Sequence, residues 1–280
     1  MGNREAKTRW LAAACMLLLA TPRAATAIVG ATETGFGAVV AVAVTFSGAE
    51  ALCTGVLVAP RVVLTAAACM DGDGPGGAAG ATEVEVFVGS DVSGSGTTIV
   101  AREWAVHPSF TGDATAANLA LILLEAPAAP APVPLRSTPL GAADVGAAAR
   151  VVGFGTTGPG ASDLGVKRAF TDVVRTLEST LLYVGQTGQT ACSGDSGAPV
   201  LMTDGDVEQL VGVVAFSDGQ CSDAAGATRL SAYATWIDEW IAAHAGGGRG
   251  GGGGGCGAAA PRSLAGLAVL LLLAWRRRRG

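Results

Sequence analysis

"CTGVLVAPRVVLTAAAC", Cys53 to Cys69, places two cysteines sixteen residues apart around the short β-branched run Arg61 to Thr65. Valine and threonine fit a pleated, half-buried surface, and a run this short, bounded by small residues, reads as a strand. The pattern recurs on both sides. "VVAVAVTF" (Val39 to Phe46) lies upstream, while "VEVFVG" (Val84 to Gly89), "LALILL" (Leu119 to Leu124), "ARVVGFG" (Ala149 to Gly155) and "QLVGVVAF" (Gln209 to Phe216) follow, separated by turns rich in glycine and aspartate. Many short strands at this spacing predict an all-β barrel or sandwich. One segment departs from the pattern: "TWIDEWIAAH" (Thr235 to His244) puts Trp236, Ile237, Trp240 and Ile241 on one helical face. Thr235 followed by Asp238 predicts a capping box, so the domain should close with a helix packed on β structure.

Both ends of the chain read as addressing segments. Residues 1 to 27 carry Arg4, Lys7 and Arg9, the apolar "WLAAACMLLLA" and a small-residue "ATA" at Ala25 to Ala27, the layout of a secretory signal peptide. Its eleven apolar residues fall short of the ~20 that a membrane span needs. The main domain is therefore expected at 28–245. A glycine-rich linker follows at 246–257, and residues 258–280 form a hydrophobic and arginine-rich tail, "LAGLAVLLLLAW" before Arg276 to Arg279. Cys256, the apolar stretch and the arginines, in that order, resemble the MYXO-CTERM sorting tail of myxobacteria. That resemblance implies a sorting enzyme acting near Cys256 and display at the cell surface; a plain C-terminal membrane anchor is the alternative. The expected location is thus outside the cytoplasm, tethered at the cell surface or outer membrane, or released.

Residues 28–245 hold 8 basic and 22 acidic residues, a formal charge of −14. A surface that must neutralise phosphate is basic, so nucleic acid is excluded as a partner. The "DGDG" at Asp71 to Gly74 lacks the spaced ligands and closing glutamate of a calcium loop and reads as a turn, so no metal site is expected. With Cys15 and Cys256 set aside, four cysteines remain, Cys53, Cys69, Cys192 and Cys221, which can pair in three ways in an oxidising compartment.

Five segments, in order, resemble the trypsin-like (chymotrypsin-fold, S1) serine peptidase family. They are "IVGA" at Ile28, the Cys53 to Cys69 stretch, "ANLALILL" at Ala117, "CSGDSGAPV" at Cys192 and the closing "TWIDEWI". The resemblance implies two six-stranded antiparallel β-barrels with a C-terminal α-helix and a cleft between the barrels. It also implies disulfides Cys53–Cys69 and Cys192–Cys221, each contributing about 3 kcal/mol by loop closure. Ser196 falls at the nucleophile position, and the N–H groups of Gly194 and Ser196 at the oxyanion hole. Asp195 would pair with the α-amino group of Ile28, which signal cleavage after Ala27 would expose. Thr190 would form the floor of the primary specificity pocket, with Ser217 and Gly226 on its walls. No cofactor is implied.

The chain departs from this family where the proton chemistry lies. Ala68 occupies the position of the general-base histidine and Asn118 that of the orienting aspartate. A serine hydroxyl is a weak nucleophile until a base takes its proton, and the same base must later protonate the leaving amine. Losing the histidine of such a triad costs about 10⁶ in turnover, on the order of 8 kcal/mol. His107 and His244 lie in segments with structural roles. The expectation is a catalytically inactive homologue that holds a peptide or protein in the old cleft; the alternative is a serine endopeptidase with residual or substrate-assisted hydrolysis through Ser196.

Overall fold

The apolar run "LALILL" shows why this sequence makes closed sheets. Leu119, Leu121 and Leu123 enter one apolar cluster, while Ala120, Ile122 and Leu124 enter another. A strand alternates its side chains between two faces, so a continuous apolar run is a strand buried on both. The same split divides Val40, Val42 and Val44 from Val39 and Ala41.

The structure is a computed structural model that describes residues 35–71, 80–186 and 188–244. The expected signal segment, Ile28, the linker and the sorting tail with Cys256 lie outside the described residues. Among the described residues, the first barrel is made of β1 (Val39–Phe46), β2 (Ala49–Ala59), β3 (Val62–Thr65), β4 (Glu83–Gly89), β5 (Gly96–Val106) and β6 (Ala120–Leu124). It closes in the order β1-β2-β3-β6-β5-β4. The second holds β7 (Ala148–Gly153), β8 (Arg168–Leu177), β9 (Leu181–Val184), β10 (Pro199–Asp204), β11 (Val207–Phe216) and β12 (Ala225–Arg229), closed as β10-β11-β12-β9-β8-β7. The strand pairs are antiparallel, and closure leaves no sheet edge to be covered. The two-barrel all-β fold with a terminal helix is as the sequence implied.

Each barrel has its own apolar interior. A third cluster joins them, bringing Val39, Val56, Leu64 and Leu121 of the first against Val152, Phe154, Leu201 and Val213 of the second. Helix α1 (Ala234–His244) docks on this cluster through buried Ile237, with Trp236, Trp240 and Ile241 packed beside it. Thr235 is the second residue of this helix and so is not its N-cap. The chain enters from a short 3₁₀ turn at Leu230–Ala232, and the Tyr233 hydroxyl accepts the Ala117 N–H at 3.0 Å. That tertiary anchor sets the start of the helix where a capping box was expected.

Both disulfides follow the pairing that the resemblance implied. Cys53–Cys69 ties β2 to the 3₁₀ turn at Ala67–Cys69, and Cys192–Cys221 ties the segment before β10 to the segment after β11. Each bond fixes a segment that lies outside the strands.

Candidate functional site

The loop between β9 and β10 is built around one buried carboxylate. Asp195 is fully buried; one carboxylate oxygen accepts the Gly155 N–H and the other the Cys192 N–H, both at 2.8 Å. Burial pushes this carboxyl up to about 7, against the opposing pull of the two N–H groups and of Arg168. Arg168 itself is held by Asp163 at 3.1 Å and by the Gly155 carbonyl, so its charge reaches Asp195 only at a distance. Whether Ile28 approaches this carboxylate lies outside the described residues.

Two contacts from the first barrel fix the same loop. The Ser196 carbonyl accepts the Thr54 N–H at 2.9 Å. The Thr54 hydroxyl donates to the Gly194 carbonyl at 2.9 Å and accepts the Phe154 N–H at 3.0 Å, so a single buried side chain of β2 bonds both the loop and the end of β7. The backbones meet closely at Gly197, with φ of +84°, where a Cβ would stand 2.1 Å from the Thr54 carbonyl oxygen. Only glycine fits there. Sequence reasoning missed Thr54, although a threonine inside the apolar "LCTGVLVA" is a polar group that must find a partner once buried.

This scaffold leaves the chemistry-bearing groups of the loop uncommitted. Gly194 and Ser196 are half-buried, and neither backbone N–H has a hydrogen-bond partner among the described residues. Ser196 sits at the start of the turn into β10, and no described side chain hydrogen-bonds its hydroxyl. Both N–H groups are thus available to an incoming hydrogen-bond acceptor.

The positions that would supply a base are closed off differently. Ala68 is an exposed residue of the 3₁₀ turn Ala67–Cys69, and its N–H donates to Asn118 Oδ1 at 2.9 Å. Asn118 is fully buried, and its Nδ2 donates to the Ala215 carbonyl at 3.2 Å and the Ala114 carbonyl at 3.5 Å. The amide thus uses its acceptor and its donors at once, which a carboxylate in the same place could not do.

The two histidines are engaged elsewhere. His107 Nδ1 accepts the Ser109 N–H at 3.1 Å, its ring stands edge-on to Tyr233 and Trp236, and burial lowers its pKa. His244 stacks on Trp240 in the last turn of α1, 3.5 Å from Glu103. Of the expected pocket residues, Thr190 is fully buried with no partner for its hydroxyl among the described residues, Ser217 is half-buried, and Gly226 lies in β12 opposite Phe216. No group of three or more His, Cys, Asp or Glu side chains that could hold a metal occurs among the described residues.

The family model described as Trypsin matches residues 28–237. A protein named Trypsin from Saccharopolyspora erythraea is 27% identical over 186 residues, covering 61% of this chain and 77% of its own length.

Two outcomes follow from the buried polar groups. A carboxyl held near 7 when folded and near 4 when unfolded binds its proton more tightly in the native state, so stability falls as pH rises between those values. In the chain retaining residues 1–27, Tm should drop from about pH 5 to pH 8, and Asp195→Asn should flatten that slope; an equally steep profile in the variant would contradict the assignment. Asn118→Asp alone should cost about 3 kcal/mol or more in guanidinium denaturation, because an unpaired carboxylate would face two carbonyls. Adding Ala68→His should recover part of that loss, and equal costs with and without the imidazole would contradict this coupling.

Proposed function

Because the chain belongs to the trypsin family and carries Ser196 in that family's serine motif with Ala68 and Asn118 where its base and orienting acid are expected, we propose that it is a pseudo-peptidase, an inactive homologue that binds a peptide or protein in the old active-site cleft. The observation that carries this reading is Ala68 together with Asn118. The first is an exposed methyl with no proton to exchange, and the second is an amide whose hydrogen bonds are already satisfied. Without a group to take the Ser196 proton and return it to a leaving amine, acylation stalls at its first step.

The loop around Ser196 supports the binding role. The free N–H groups of Gly194 and Ser196 can donate to a peptide carbonyl, and Thr54 and Asp195 hold the loop that presents them. Signal cleavage after Ala27 would give Ile28 an α-amino group able to pair with Asp195, ordering the loop on export without a separate activation step. The signal-like residues 1–27, the sorting-like tail around Cys256 and the two disulfides support an exported domain tethered at the cell surface or outer membrane, or released from it. The same open N–H groups favour a second reading, a serine endopeptidase with residual or substrate-assisted hydrolysis through Ser196.

A fluorophosphonate probe separates the two. The native domain should remain unlabelled over hours, and the double variant Ala68→His, Asn118→Asp should label at Ser196. Stoichiometric labelling of the native chain, abolished by Ser196→Ala, would establish the endopeptidase reading instead.

A further inference from the structure

The end of β11 carries an aromatic ring in an unusual place. Val214 pairs with Ala227 and Ala227 with Leu182, and all three side chains belong to the interior of the second barrel. Two residues beyond Val214, Phe216 would ordinarily share that face. The register shifts between Val214 and Phe216, so Phe216 pairs instead with Gly226, and Gly226 with Tyr183. An extra residue in one strand inverts the alternation. Phe216, Gly226 and Tyr183 therefore share the outer face, while the carbonyl of the extra residue, Ala215, is turned to Asn118.

On that face the ring lies across Gly226. A Cβ at Gly226 would stand 2.2 Å from Phe216 Cζ and 2.5 and 2.8 Å from its two Cε atoms. The ring tip therefore occupies the volume that a side chain at Gly226 would take. Tyr183 supports it edge-on, with centroids 6.3 Å apart and planes at 77°. Gly226 is the residue expected to wall the primary pocket, and the expected floor is Thr190, whose hydroxyl is fully buried without a partner among the described residues. An orphaned buried hydroxyl carries a desolvation penalty that a guest or water in an open pocket would relieve.

We infer that Phe216 closes the primary pocket of this chain and restricts the cleft to segments that place glycine or alanine beside Ser196. The specificity rests on the binding role proposed above; the closure does not. A larger side chain at that position must displace a ring that is wedged between Gly226 and Tyr183, and the energy needed is subtracted from binding.

The test uses the folded domain, native and Phe216→Ala, with benzyl alcohol as the pocket probe, since it offers a ring for the vacated space and a hydroxyl for Thr190. Ligand-observed NMR should detect binding to Phe216→Ala and none to the native chain at the same concentration; equal behaviour of the two would overturn the closure. Should Phe216→Ala fail to fold, Gly226→Ala in the native background reads the same contact. Its added methyl should lower Tm by several degrees, of the order expected for overpacking, and an unchanged Tm would overturn the inference. Immobilised extended peptides then read the specificity. The native chain should retain alanine over phenylalanine at the position beside Ser196 by about tenfold, and Phe216→Ala should erase most of that preference. An identical preference in both chains would overturn the inference while leaving the cleft-binding role intact. Retention of no peptide by either chain, with benzyl alcohol still taken up by Phe216→Ala, would end the binding role and support the closure.

Discussion

The amide of Asn118 holds together what the cleft depends on. Its oxygen takes the N–H of Ala68 on the first barrel, and its nitrogen donates to the carbonyl of Ala215 on the second. Removing a buried carboxylate's partner leaves an uncompensated charge, typically several kcal/mol uphill, whereas a neutral amide satisfies the same cavity with hydrogen bonds alone. Alanine at 68 and asparagine at 118 are therefore physically compatible with each other. The turn at Ala67–Cys69 presents a backbone N–H to this amide.

Among the described residues the loop around Ser196 is held by three ties: the Thr54 hydroxyl on the Gly194 carbonyl, the Asp195 carboxylate on two backbone N–H groups, and the close approach at Gly197. These are interactions of the ground state, and they are indifferent to whether a proton ever moves. On the proposed binding role, such a surface would grip an extended backbone. With Phe216 across Gly226, it would grip by main-chain contacts more than by a side chain in a pocket.

How much of this was legible in the sequence depended on how local each determinant was. β1, β3, β4, β6, β7 and β11 could be read from their β-branched runs, because alternation and double burial leave a pattern within a few residues. The pairing of Ala68 with Asn118 could be anticipated as well, since the flanks of both positions match segments of the family, and the Ala68 N–H does donate to the Asn118 side chain. Thr235 could not be placed correctly, because the start of α1 is set by Tyr233 reaching Ala117, a contact across 116 residues of sequence. The role of Thr54 and the orientation of Phe216 escaped for the same reason. The partners of Thr54 lie 100 and 140 residues away. The orientation of Phe216 is decided by a register shift at Ala215 that no composition announces.

If the pseudo-peptidase proposal holds, proton transfer is the step this chain lacks, and turnover tests that most directly. The purified domain beginning at Ile28 should hydrolyse a mixture of unstructured peptides no faster than its Ser196→Ala counterpart over a day of incubation. Cleavage that is many-fold faster in the native chain and absent from the variant would mean that some group other than a residue at 68 carries the proton, and would contradict the loss of catalysis inferred from Ala68 and Asn118.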